Sequence, residues 1–324
     1  MYQPPPTASS AIYHAKLLLF GEHLLLTGAS ALAVPVPAFY GQWKWGETPE
    51  TGCAKQRNLP DFAAWLMQEG IVPQDFVNDL SKGLYFDANI PEGYGLGSSG
   101  ALCAAIFDRY ATDTYKSAQN LANLVAAGRG DYSGQQLADL KRIFARMEGF
   151  FHGSSSGIDP LTSYTHRPLL IEKKMHVSTP KMRTWRQKPI VFLIDTQLPR
   201  QTGPLVQWYL QQYELPDFRH RLEQELLPAH AQMLHAWLHA DEQVFWPAIR
   251  QVSRFQLEHF HPMVPATMRD FWLESLHQDD YSVKICGAGG GGFMLGFARE
   301  WRTLELLRER EKLTITFLRD LSGE

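Results

Sequence analysis

A chain of 324 residues with a formal net charge of −3 exerts no general pull on a polyanion, so no nucleic-acid partner is expected. With 44% hydrophobic and 20% charged residues it can bury a substantial core, as two domains or one large one. No apolar run reaches the roughly 18 residues of a membrane span, so no membrane partner is expected either. The cysteines Cys53, Cys103 and Cys286 lie far apart without a CxxC, which points to reduced thiols in a cytoplasmic compartment.

Residues 1–10 are Pro/Ser-rich, lack the basic-then-apolar pattern of a signal peptide, and read as a frayed tail. Residues 11–45 read as β-structure: 15–20, a turn at 21–23, 24–26, a break at 27–30, then 31–40. Pro35 and Pro37 suit an edge or irregular strand. A loop is expected over 46–60, helices over 61–68 and 75–80, and a strand over 83–90. Three helical stretches follow near 101–111, 115–127 and 132–147; in the second, Leu121, Leu124 and Val125 keep helical spacing. Residues 149–160 are turn-rich, 169–173 and 190–195 read as strands, and 201–278 as largely helical. The chain ends in a glycine hairpin, a helix over 300–312 and a strand over 313–318. That closing order of strand, turn, strand, helix, strand predicts helices over an antiparallel sheet, an α+β layer. The polar stretch 176–188 places a domain boundary at 187/188, giving domains of residues 1–187 and 188–324.

Five of the six residues from Gly287 to Gly292 are glycine, with Ala288 the exception. Ordering glycine is entropically costly, so such a run implies a sharp turn or a close backbone approach. A second glycine segment, Pro91-Glu-Gly-Tyr-Gly-Leu-Gly-Ser-Ser-Gly-Ala101, runs straight into a helical stretch. A helix N-terminus carries unpaired N–H groups and partial positive charge, which suits phosphate. No GxxxxGK[ST] occurs, so this is not a Walker-type loop; a serine-capped helix after a turn is the bland alternative. Glu148 and Asp159 flank a Gly/Ser-rich turn. One could hold Mg²⁺ and the other accept a proton, or they are a helix-end charge and an Asx-turn aspartate. Lys16 lies within an apolar strand pattern beside Glu22 and His23; either its amine reaches a functional anion or it sits on the solvent face of an edge strand. His235 and His239 have a metal-like spacing but no third ligand, and read as a solvated helix face.

Taken together, the motifs resemble the small-molecule kinases named for galactose, homoserine, mevalonate and phosphomevalonate, the GHMP family. The stretch from Ala15 to Ala33 with its Gly21-Glu22-His23, the segment from Pro91 to Ala101 and the segment from Lys284 to Phe293 stand in the family's order. His152-Gly-Ser-Ser-Ser-Gly-Ile-Asp159 and Leu198-Pro-Arg-Gln-Thr202 add two further matches, nearest to the mevalonate kinase branch. The resemblance implies an α+β, two-domain GHMP-kinase-like fold. It would comprise an N-terminal α/β domain with a mixed sheet and a C-terminal helical, ferredoxin-like α+β domain, with the active site in the cleft between them. It also implies phosphorylation of a small alcohol, mevalonate foremost, with ATP and Mg²⁺ as cofactors.

Carried over by position, Asp159 would be the catalytic base and Lys16 its partner. Ser99 and Glu148 would coordinate Mg²⁺, and Gly95, Leu96, Gly97, Ser98, Ser99 and Gly100 would line the phosphate loop. Glu22 and His23 fall on the acceptor side, Thr202 would support Asp159, and Gly287, Ala288 and Gly289 would form the turn abutting the substrate. Gly100 departs from the family, which usually has Ala there, and is expected to loosen the helix start. A kinase for a sugar, homoserine or phosphomevalonate, or a non-catalytic sensor of the same fold, are the rival readings. Monomer and homodimer are both open.

Overall fold

Tyr13, Ala15, Leu17 and Leu19 alternate along the first strand, β1 (Tyr13–Phe20), and all four are buried, as a period of two on a core-facing strand requires. This computed structural model describes residues 11–46, 58–118, 132–200, 202–319 and 321. The expected tail, Cys53, most of the 46–60 loop and residues 119–127 of the second expected helix lie outside the described residues. After β1 the chain makes a short 3₁₀ turn, Leu24–Thr27, where a strand was expected. The backbone bonds Leu25 N to Gly21 O (3.0 Å) and Leu26 N to His23 O (2.9 Å) roll it up before it can extend. The long strand β2 (Ala31–Trp45) follows. Pro35 and Pro37 fall between its registers with β4 at Ala31–Ala33 and with β3 at Gly41–Trp45, so the missing N–H groups interrupt neither ladder.

The chain forms two compact units, one of residues 1–16, 39–90 and 97–167, the other of residues 17–38, 91–96 and 168–324. Because β1 and β2 each pass from one unit to the other, the units interleave along the sequence.

In the first unit, the end of β2 pairs antiparallel with β3 (Leu84–Ala88), Gly41 opposite Ala88 and Trp45 opposite Leu84. Helices α1 (Leu59–Gln68) and α2 (Gln74–Ser81) precede β3, and Trp43 packs edge-on against Phe76 of α2 and Phe86 of β3. Helix α3 (Ser98–Tyr110) is buried continuously from Gly100 to Phe107, as befits a central helix. A short helix, α4 (Asp113–Ala118), follows. Then α5 (Gly134–His152) starts from a capping box: Ser133 Oγ accepts from Gln136 N and Gln136 Oε1 accepts from Ser133 N. Its Leu137, Leu140, Ile143, Phe144 and Met147 form one apolar stripe. Helix α6 (Ile158–Thr165) packs on α3 and α5.

In the second unit, the start of β2 pairs with β4 (Leu169–Ile171), and β4 with β5 (Val177–Ser178). Strand β6 (Ile190–Asp195) leads to helices α7 (Thr202–Glu214), α8 (Pro216–Arg221), α9 (Leu227–His239), α10 (Glu242–His259) and α11 (Arg269–Ser275). The hairpin of β7 (Tyr281–Ile285) and β8 (Phe293–Ala298), helix α12 (Trp301–Glu311) and strand β9 (Ile315–Leu318) end the chain. The sheet runs β7-β8-β6-β9 with antiparallel pairing throughout, the α+β layer expected from the closing element order. Trp237 of α9 and Phe245 of α10 seal it against Phe297. In the other sheet β2 pairs antiparallel with β3 and β4, and β4 with β5, where the family resemblance implied a mixed sheet.

Candidate functional site

In the first unit, Lys16 points its ammonium at Asp159, with Nζ 2.5 Å from Oδ1 and side-chain exposures of 11% and 27%. The solvent-face reading of this lysine is therefore not what forms. Asp159 is the second residue of α6 and lies hard against the start of α3. A Cβ on Gly97 would sit 3.1 Å from Asp159 Oδ2, and one on Gly100 would sit 2.8 Å from both Asp159 Cβ and Pro160 N. Gly100 thus creates the room in which α6 and α3 meet, a tighter role than the loosening expected of it. Gly97 (φ 70) is the N-cap of α3 and supplies no side-chain cap. The serine-capped alternative gives way to a helix whose first N–H groups carry no side-chain acceptor at the cap position.

At the second residue of α3, Ser99 Oγ donates to Glu148 Oε1 at 3.1 Å, while His152 Nε2 lies 3.1 Å from the same hydroxyl. Ser155 Oγ donates to the second oxygen of Glu148 and accepts from Gly157 N at 2.9 Å. Glu148 is buried, and its carboxyl is pushed up to about 7: burial does most of this and the charge of Asp159 adds to it, against the opposing pull of Ser155, Lys16 and Ser99. Such a carboxylate, with a hydroxyl beside it, is an all-oxygen donor pair suited to a divalent cation that would supply the positive charge burial withholds. Among the described residues no group of three or more His, Cys, Asp or Glu could hold a metal. Two protein donors fit Mg²⁺, which keeps several waters and takes phosphate oxygens for the rest.

A second polar cluster forms within the other unit. His23 has φ 56 and ψ −39, and Leu24 N bonds to Glu22 O at 2.6 Å, a γ-turn of the rare positive-φ kind. The ring is buried, and Nε2 lies 3.0 Å from Ala288 O. A carbonyl can only accept, so Nε2 carries the hydrogen and Nδ1 is a bare acceptor. Nδ1 is buried with no hydrogen-bond partner among the described residues. Burial lowers the His23 pKa, the bond to Ala288 opposes this, and Arg200 lowers it further. The imidazole is therefore held neutral. Glu22 does not face outward: its carboxylate is buried and paired with the fully buried Lys284 of β7.

The glycine run after β7 threads between other backbones. Gly290 N donates to Met263 O at 2.7 Å and Gly292 N to Leu198 O at 2.8 Å, and a Cβ on Gly289 would come within 2.7 Å of Met263 O. Both expected reasons for glycine, sharp turning and close approach, apply here. Arg200 fills the space beside this turn. Its guanidinium occupies the volume a Cβ on Gly95 would need (2.1 Å to Nη2) and the volume one on Gly287 would need (2.6 Å to Nη1).

Of the residues picked from sequence, the first unit gathers Lys16, Gly97, Ser99, Gly100, Glu148 and Asp159, with half-buried Ser98 opening α3. The second gathers Glu22, His23, Gly95, Gly287, Ala288 and Gly289, with Leu96 in the core. Thr202 opens α7 with an exposed side chain that makes no hydrogen bond among the described residues. Four participants had no role assigned from sequence: His152, Ser155, Arg200 and Lys284. Lys284 carried the signal that drew attention to Lys16, a lysine inside an apolar strand.

No protein-family model matches the chain. A curated relative, the bifunctional fucokinase/GDP-fucose pyrophosphorylase of Arabidopsis thaliana, is 24% identical over 255 residues, 76% of this chain. The chain spans 22% of that relative's length. Among solved structures, L. major mevalonate kinase in complex with R-mevalonate matches with a TM-score of 0.63 at 17% identity, over 98% of each chain. Streptococcus pneumoniae phosphomevalonate kinase in complex with phosphomevalonate and AMPPNP matches at 0.61 and 16% identity, over 96% of this chain and 98% of its own. Lactococcus lactis galactokinase complexed with galactose matches at 0.59 and 12%, over 98% and 95%. The chain has the fold shared by these GHMP kinases.

Proposed function

We propose that the protein is a small-molecule kinase that transfers the γ-phosphoryl group of ATP to an alcohol, with mevalonate as the acceptor and 5-phosphomevalonate as the product. The observation that carries this reading is the Lys16–Asp159 ion pair seated on the glycine-opened N-terminus of α3, beside the Ser99–Glu148 donor pair. Phosphoryl transfer asks the protein mainly for positioning and charge stabilisation. Asp159 would accept the proton of the attacking hydroxyl, and the Lys16 ammonium would stabilise the developing alkoxide. The first N–H groups of α3 would bind phosphate oxygens. Ser99 and Glu148 would hold Mg²⁺, whose contribution is to neutralise charge on the phosphates.

For the acceptor, the buried and unpartnered Nδ1 of His23 would accept from a hydroxyl, and the Arg200 guanidinium, which also contacts Cys286 O at 3.5 Å, would suit a carboxylate or phosphate. That pairing favours an anionic hydroxy acid over a neutral sugar, and R-mevalonate is the ligand of the L. major neighbour. The fucokinase relative keeps a sugar as the second reading. A coupled assay of ADP release against R-mevalonate, phosphomevalonate, homoserine, galactose and fucose tests both. Turnover confined to R-mevalonate is the expected result, turnover confined to a sugar replaces the acceptor, and ATP binding without ADP release from any of them overturns the kinase reading in favour of a sensor.

A further inference from the structure

We infer that Lys284 is a positioning residue: through its buried ion pair with Glu22 it holds the turn in which His23 presents Nδ1 to the acceptor. The inference rests on the proposed acceptor role of His23 and extends it to a residue that touches neither substrate nor nucleotide.

The turn at His23 is a conformation that L-residues rarely adopt, and such backbone persists only where its surroundings over-determine it. Three contacts do so. Leu25 N bonds back to Gly21 O at 3.0 Å. The His23 ring is tied to Ala288 O, and the Glu22 carboxylate is tied to Lys284 Nζ. The last two come from one stretch of chain, the end of β7 and the glycine turn after it, so adjacent residues 22 and 23 are gripped by the same element.

All five residues of β7 are buried, and Lys284 is paired in register with Leu295 of β8. Its exposure is 0%, and its ammonium also donates to Ile285 O at 2.9 Å. A fully buried ammonium survives only with a counter-charge and further hydrogen bonds. A pure packing role at a strand position of this kind would be filled more cheaply by Leu or Met. An ion pair adds direction, because it fixes where the Glu22 side chain points and hence the rotation of the peptide that leads into His23.

The test uses the full-length protein in three forms: Lys284→Met, Glu22→Gln, and the double variant Glu22→Gln with Lys284→Met. Each is measured for Tm, for KM towards R-mevalonate and towards ATP, and for the His23 ring tautomer by ¹⁵N NMR, with the signal assigned from His23→Gln. Lys284→Met leaves a carboxylate buried alone, so a lowered Tm is expected together with a rise of at least about tenfold in KM for R-mevalonate and less than about twofold in KM for ATP. The double variant leaves no buried charge and should recover Tm. Its raised KM and the loss of the single Nε2–H tautomer should persist. If KM and tautomer return to wild type along with Tm, the pair is a packing element only and the inference falls. The tautomer is read without substrate, so it decides the inference even where R-mevalonate is not turned over, an outcome that would instead remove the proposed acceptor.

Discussion

Replacing Gly100 with alanine adds one methyl group to the third residue of α3, and two opposing effects follow. In an open helix the change stabilises by about 1 kcal/mol, because alanine has less backbone entropy to lose. Here the new Cβ would lie 2.8 Å from Asp159 Cβ and Pro160 N and 2.9 Å from the Asp159 carbonyl carbon. Two of these three atoms are backbone, so no side-chain rotation relieves them, and α6 must move by several tenths of an ångström. Overpacking of this kind costs about 1–3 kcal/mol, which leaves a net change between about zero and 2 kcal/mol of destabilisation. The catalytic consequence should be larger, since a misplacement of about 1 Å at a reacting group can cost a factor of about 100. We expect Gly100→Ala to lower kcat by about ten- to a hundredfold while KM for ATP stays within about threefold, read from steady-state ADP release beside a urea melt. A variant that is more stable by about 1 kcal/mol and keeps its kcat would show that α6 does not press on α3 at this point, and would remove the support for seating Asp159 there.

Asp159→Asn should lower kcat by far more than about tenfold, an effect beyond about 1.4 kcal/mol, with ATP affinity nearly unchanged; a tenth or more of wild-type turnover would rule out the base. Glu148→Gln should raise the Mg²⁺ concentration needed for half-maximal rate, and an identical metal titration would take Glu148 out of the metal shell. In protein free of metal and nucleotide, burial pushes the Glu148 carboxyl up from the ordinary carboxylate range to about 7. The folded state then holds the extra proton, so this group's contribution to stability falls as pH rises through that window. The Tm-versus-pH curve of Glu148→Gln should be flatter than wild type there, and parallel curves would contradict the burial argument. Arg200→Met should raise KM for R-mevalonate by about tenfold and should also raise the His23 pKa, because Arg200 lowers it. An unchanged His23 titration by NMR would mean that the guanidinium does not reach the ring.

Periodicity and punctuation carried the regular elements well. Strand β6 spans the residues read from the sequence, and the hairpin, helix and strand after residue 280 appear in the expected order. Errors fell where a single backbone torsion decides the outcome. The leucines after His23 look like strand on composition alone, and only the positive φ at His23 turns them into a 3₁₀ turn. Helix α5 was expected to stop near residue 147, but Gly149 has open space around it and is tolerated, so the helix runs on to His152 and brings that ring to Ser99.

The site divides in the same way. Ser99, Glu148 and Asp159 were legible because each lies in or near a glycine- or serine-rich stretch, Lys16 because it interrupts an apolar strand, and motif order tied them together. Arg200 had no such mark. It lies in a loop without periodicity, and its place depends on two glycines, at 95 and 287, that approach it from far along the chain on either side. Lys284 is the instructive case, since an apolar strand with one lysine poses the same energetic question as β1 does at Lys16. An ammonium on a core-facing strand has to find an anion. In β1 the anion is Asp159, at the proposed chemistry; in β7 it is Glu22, one residue from the proposed acceptor contact. Both lysines therefore lead from the strand pattern to a carboxylate at or next to the proposed chemistry, so a buried lysine was as informative a signal in this chain as either glycine motif.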